Sequence, residues 1–233
     1  MNSINKTARI AGALYLLLLP LGILGLIYVP STIIVSGDVA ATARNIMASE
    51  SLFRFSIVSA LMVQIVNIFV ALTLYQVLKP VNKNMAGLMV IFILLGAPIA
   101  MLSEAFKFAV LPLLSGAEYL AVFTTDQLQT LASFFLDLHE YGVNIASIFW
   151  GLWLFPMGYL VFKSGFLPKI LGILLIVGCF GYLADFFIVA LFPNLNMTIS
   201  QFTFIGEVLL PLWLLIKGET SNSGKNVFLN LPE

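Results

Sequence analysis

At 233 residues, 61% hydrophobic and only 9% charged, the chain is far more apolar than a soluble domain, which runs at about 45–50% apolar and about 25% charged. Eleven basic residues balance eleven acidic ones, so there is no basic face for a nucleic-acid partner. The single Cys, Cys179, rules out an intrachain disulfide. Such a composition is that of an all-α, multi-pass membrane protein whose first partner is the lipid bilayer.

A helix needs about 20 apolar residues to cross a hydrocarbon core of roughly 30 Å. Six runs meet that length, at residues 10–29, 55–78, 86–111, 134–162, 168–191 and 199–216. The first is too long for the apolar core of a cleavable signal and lacks a small-x-small cleavage site, so it reads as an uncleaved span. Breaks are expected at Pro30-Ser31, Lys79-Pro80-Val81-Asn82, Ser115-Gly116, Ser164-Gly165 and Pro193-Asn194, all turn-forming pairs. Residues 1–218 then form one six-helix domain, and the polar stretch 219–233 reads as a disordered tail.

The basic residues orient the bundle. Lys6 and Arg9 precede the first run, Lys79 and Lys83 lie between the second and third, Lys163 and Lys169 between the fourth and fifth, and Lys217 and Lys225 follow the sixth. With six spans these eight share one side, and the excess of Lys and Arg marks that side as cytoplasmic. Both termini are therefore expected inside, in a bacterial cytoplasmic (inner) membrane. Arg44 and Arg54 fall outside, within or beside an outer loop at 31–53. There Gly37-Asp38 followed by residues 39–47 reads as a capped, short amphipathic helix. The stretch 124–132 extends the fourth span beyond the bilayer, with Asp126, Gln127 and Gln129 in water.

Against this apolar background the ionisable residues stand out, because each central charge costs about 2.5–3.5 kcal/mol to insert and marks a functional site by default. Counting about 1.5 Å per residue from the cytoplasmic Lys residues places Glu207 near the bilayer centre, about 15 Å up. Asp185 and Glu104 come out at roughly 24–30 Å and Glu140 at about 35 Å. Asp137, His139 and Lys107 belong at the outer interface. Asp137, Glu140 and Asn144 recur at i, i+3 and i+7, so they share one helix face. Gln64 and Asn67 belong to a small-and-polar stripe on the second run, and Glu104 and Lys107 are spaced to pair. Facing inward, these stripes wall an acidic cavity in the outer half of the bundle, with Arg54 at its mouth. Five carboxylates against Lys107 and Arg54 cannot all stay ionised and unpaired there. Some carry protons, a cation offsets them, or water reaches them.

Other chemistries find little support. One His and one Cys cannot build the His-rich or Cys-rich zinc sites of common metalloenzymes, and no Glu-x-x-His spacing occurs. Gly-x-Gly-x-x-Gly and Gly-Lys-Ser/Thr stretches are missing too, which argues against nucleotide use. No metal site and no cofactor are expected, and a non-enzyme is favoured.

Several strings together resemble a known family. They are Gly37-Asp38 with Ala40-Ala41-Thr42-Ala43 and Leu52-Phe53-Arg54; Leu78-Lys79-Pro80-Val81-Asn82; Gly158-Tyr159-Leu160-Val161 with Lys163 to Gly172; and Gly206-Glu207 with Leu212 to Gly218. The chain resembles, over nearly its whole length, the bacterial multi-pass membrane proteins grouped as domain of unknown function 4386. That resemblance implies a membrane fold and no activity, and it places Asp38, Arg54 and Glu207 within family-like motifs. Where the family carries a His in the run before Gly158-Tyr159-Leu160, this chain has Trp153, which weakens a metal role.

The leading functional expectation is binding of a small solute or cation, with proton-coupled transport and Glu207 and Asp185 as the titrating groups. A length of 233 residues is short for a transporter and favours a homo-oligomer. The rivals are an intramembrane metal-dependent enzyme acting on lipid through Asp137, His139, Glu140 and Asp185, and a non-catalytic scaffold or sensor whose loop 31–53 binds a partner.

Overall fold

The computed structural model describes residues 3–192, 194–195 and 197–217. Pro193, Lys225 and the stretch 219–233, which carry a predicted break, a topology marker and the predicted tail, lie outside the described residues. Within them the fold is all-helical and without strands. Five helices are long and apolar enough to cross a membrane: Asn5–Ile33, Glu50–Leu78, Lys83–Leu114, Thr125–Lys163 and Lys169–Leu191. The sixth apolar segment, Ser200–Ile216, is shorter.

The first of these helices differs from its sequence reading. It does not break at Pro30-Ser31 but continues to Ile33 through three pieces: α1 (Ser3–Gly22), a π-helical turn (Ile23–Tyr28) and α2 (Val29–Ile33). Proline has no N–H to donate, and its ring crowds the carbonyl four residues earlier. The π turn accommodates both, with the Val29 N–H reaching back five residues to the Leu24 carbonyl. Just before it, the Ser59 hydroxyl caps the Leu21 carbonyl at 2.9 Å. A Cβ at Gly25 would come within 2.9 Å of the Ala60 backbone nitrogen, so only glycine lets the widened turn lie against this neighbour.

After a tight turn at Gly37 (φ +78°), α3 (Val39–Ala48) begins where the Asp38 side chain accepts the Ala41 N–H at 2.8 Å. The loop before it is tied down from α3. Thr42 Oγ1 accepts the Val35 N–H at 2.9 Å, and Asn45 donates to the Ile33 carbonyl at 3.1 Å. Then follow α4 (Glu50–Leu78) and α5 (Lys83–Leu114), the latter started by Asn82, which accepts the Met85 N–H at 3.0 Å.

A reciprocal capping box opens α6 (Thr125–Leu152): Gln127 Oε1 accepts the Thr124 N–H, and Thr124 Oγ1 accepts the Gln127 N–H. Asp126 and Gln127 are exposed. A brief interruption at Trp153 leads to α7 (Leu154–Lys163); Gly165, at φ +71°, turns the chain towards α8 (Lys169–Leu191). The last segment is split at Phe204 into α9 (Ser200–Thr203) and α10 (Ile205–Ile216).

The chain forms two compact units. One comprises Met1–Leu17, Val66–Ala97 and Ile145–Glu233; the other comprises Leu18–Ile65 and Pro98–Asn144. In the first, glycines bring helices into backbone contact: a Cβ at Gly158 of α7 would sit 2.6 Å from the Gly172 carbonyl of α8, and the converse also holds. Without a hydrophobic drive between helices in lipid, such close approach is a main source of packing energy. The second unit has its own apolar cluster, including Val29, Ile33, Ile46, Phe53, Ile57 and Val110.

Candidate functional site

The second unit gathers the ionisable residues that helix spacing points to. Its geometry starts from Gly142 on α6, where any Cβ would overlap the Ser103 hydroxyl of α5. That contact brings the flanking polar positions together. His139, one turn before Gly142, meets Glu104, the neighbour of Ser103: His139 Nε2 and Glu104 Oε1 are 2.9 Å apart. With Glu104 ionised, the ring donates from Nε2. On its other oxygen, Glu104 faces Lys107 Nζ at 3.3 Å, one turn along α5, with the two side chains 3% and 4% exposed.

Lys107 is the least satisfied member of this group. Its Nζ lies within ion-pair distance of Glu104 but, among the described residues, makes no aligned hydrogen bond, and neither does Glu104 Oε2; the pair is close without being aligned. Nζ also stands 5.7 Å from the centre of the buried Phe53 ring, a contact that favours the cation. A buried ammonium with N–H groups to spare can take a further acceptor.

That acceptor has room. Lys107 and His139 line a cavity of about 540 Å³ together with Ser133, Asp137, Glu140 and Asp38, a volume within the range of about 300–1,000 Å³ typical of ligand pockets. Asp137 and Glu140 are exposed. Leu26, Pro30, Ile34, Leu136 and Val143 complete the wall with apolar surface. The π turn and the loop it feeds thus form one side, and α6 the other.

The remaining predicted site residues of this unit are not on the cavity wall. Arg54 pairs with Glu50 at 2.7 Å on an exposed face of α4 and is not part of this cavity wall. Gln64 is buried with Oε1 unpartnered among the described residues. Asn144 is half-buried.

In the first unit lies a separate acidic centre. Gly206 allows α10 to press against α8, where a Cβ would fall 2.9 Å from the Leu175 nitrogen. Next to it Glu207 is part-buried, and the Tyr15 hydroxyl donates to its Oε2 at 3.3 Å. The Tyr182 hydroxyl faces the same carboxylate, while Oε1 has no hydrogen-bond partner among the described residues. Tyr15 packs on Trp153 with ring centres 5.7 Å apart. Asp185 does not bond Tyr182, its i−3 neighbour. Its two oxygens accept the backbone N–H groups of Ile199 and Ser200 at 2.5 and 3.0 Å, so it anchors the start of α9. Asn67 is buried in this unit with Oδ1 unpartnered among the described residues. Among the described residues no group of three or more His, Cys, Asp or Glu side chains could hold a metal ion.

Sequence reasoning did not single out Tyr15 and Tyr182 as partners of Glu207, nor Ser133 and Asp38 as cavity walls. The capping role of Asp38 was the one available signal among these.

An all-helical chain with several helices long and apolar enough to cross a bilayer, and charged groups buried within them, is a membrane protein. The chain belongs to the family described as domain of unknown function DUF4386, whose model matches residues 10–218. A protein of Archaeoglobus fulgidus, described as an uncharacterized protein, is 34% identical to it over 166 residues, covering 70% of this chain and 84% of the relative. No solved structure matches the chain.

Proposed function

We propose that residues 1–218 form a single six-span domain of a cell membrane, with both termini on the cytoplasmic side, and that its cavity binds a small solute reaching it from outside. One observation supports the binding reading above the others. Lys107, almost fully buried and without an aligned hydrogen-bond partner among the described residues, faces a cavity of ligand size whose wall also carries Asp137 and Glu140. Unsatisfied buried polar groups are costly, and they persist where a ligand meets them.

Site-directed labelling tests this. In a Cys179→Ser background, Ser133→Cys should react with a membrane-impermeant maleimide on intact cells, and Val81→Cys only after permeabilisation. Reaction of Ser133→Cys only after permeabilisation, or not at all, removes the outward cavity.

Proton coupling through Glu207 is a second reading, supported by an Oε1 without a hydrogen-bond partner among the described residues, beside the Tyr15 bond. In liposomes holding a trapped pH-sensitive dye, proton entry driven by an imposed gradient should be lost in Glu207→Gln. Equal rates remove Glu207 from the proposal.

A further inference from the structure

The cavity wall carries both signs of charge, and that combination selects a ligand. Among the described residues Lys107 is the one Lys or Arg side chain on the wall; Glu104, which is not itself on the wall, pairs with it at 3.3 Å. Its ammonium stands 3.3 Å from Glu104 Oε2 without an aligned hydrogen bond among the described residues, so it has N–H groups left for an oxygen acceptor. The other ionisable groups facing the cavity are Asp38, Asp137, His139 and Glu140. One oxygen of Asp38 is committed to the Ala41 N–H, and one nitrogen of His139 is committed to Glu104. Asp137 and Glu140, one turn apart on α6, are left as acceptors for a ligand. A plain anion would meet these carboxylates, and a plain cation would leave Lys107 unsatisfied.

We infer that the cavity recognises a zwitterion with a primary ammonium beside a phosphate, the phosphate against Lys107 and the ammonium between Asp137 and Glu140. This deepens the binding reading above and rests on it. The Ser133 hydroxyl lies on the same wall and can serve the phosphate. The primary amine matters because its N–H groups can donate to both carboxylates, whereas a quaternary ammonium has none to donate. Two sources share this chemistry: the headgroup of a phosphatidylethanolamine and free phosphoethanolamine. The apolar wall of Leu26, Pro30, Ile34, Leu136 and Val143 suits the glyceryl and first acyl carbons of the former.

The test uses the full chain in detergent micelles, with binding read by native mass spectrometry and by the shift in unfolding temperature. The probes are short-chain phosphatidylethanolamine, the matched phosphatidylcholine and phosphatidylglycerol, and free phosphoethanolamine. The inference expects the ethanolamine lipid to bind about tenfold tighter than either of the other lipids, the difference of one charge-assisted hydrogen bond. Asp137→Asn with Glu140→Gln should erase that preference; these exposed positions leave the buried ion pair untouched. Lys107→Met should weaken all three lipids, and where it fails to fold the carboxylate pair still decides. Binding of free phosphoethanolamine as tight as that of the lipid supports the same chemistry with a soluble source; weaker binding assigns the lipid. Equal binding of the three lipids, no binding of any probe, or a preference that survives the carboxylate changes overturns the inference. If Ser133→Cys still labels from outside, such a failure removes the ligand assignment alone.

Discussion

The Glu104–Lys107 pair supports a quantitative prediction. At 3.3 Å, two unit charges attract by about 5 kcal/mol with an effective dielectric of about 20. Burial offsets much of this, so the pair contributes little relative to two neutral residues, while removing one partner strands the other. Glu104→Gln leaves Lys107 with its ion-pair partner gone and should cost about 3–5 kcal/mol. Lys107→Met should cost less, since Glu104 keeps His139 at 2.9 Å. The double variant strands no charge and should recover about 2–4 kcal/mol relative to the sum of the singles. Unfolding in mixed micelles, followed by tryptophan fluorescence, measures all four proteins under one condition. A coupling below about 0.5 kcal/mol would show that the two side chains do not act as a pair, and the account of the cavity floor would fail with it.

Other outcomes follow from single contacts. Gly158→Ala drives a methyl into the Gly172 carbonyl and should cost about 1–3 kcal/mol. Gly87→Ala meets nothing within 4 Å and should gain about 0.5–1 kcal/mol; the same unfolding assay compares them, and equal effects would contradict the close α7–α8 approach. Asp185→Ala leaves two backbone N–H groups without their acceptor and should cost about 1–3 kcal/mol, with faster hydrogen exchange at Ile199 and Ser200. Exchange there unchanged from the native protein would dismiss the anchoring role. Asp38→Ala removes the cap of α3 and should cost about 1 kcal/mol, seen first as faster exchange at Ala41.

Local rules made part of this molecule readable and distance hid the rest. The run lengths and the Lys79-Pro80 and Ser164-Gly165 breaks are statements about neighbouring residues; the helices respect both breaks, and five of the six runs come out as helices long enough to span, the sixth being shorter. Glu104 and Lys107 meet because i, i+3 spacing puts them on one face. By the same arithmetic Arg54 belongs with Glu50 at i, i+4, a local contact that competes with any role at a cavity mouth. Partners far apart in sequence carry no such mark. Nothing in the string joins Tyr15 to Glu207, His139 to Glu104, or Asp185 to the amides of Ile199 and Ser200. Those pairings follow from where Gly12, Gly142 and Gly181 let helices touch. The continuation past Pro30 was hidden for another reason: a proline ordinarily stops a helix, and only the π-helical turn preceding it in the structure shows why this one does not.

That widened turn has a consequence for how the chain can change. A helix with one residue deleted rotates everything downstream by about 100° about its axis, which would swing apolar faces out of register. Between Ile23 and Tyr28 the ladder already holds a residue in excess. Loss of one there can be absorbed by a return to ordinary pairing, with the flanking segments kept in phase. The first helix therefore carries its own slack, at the one place where a single-residue gap leaves the loop to α3 facing as it does now.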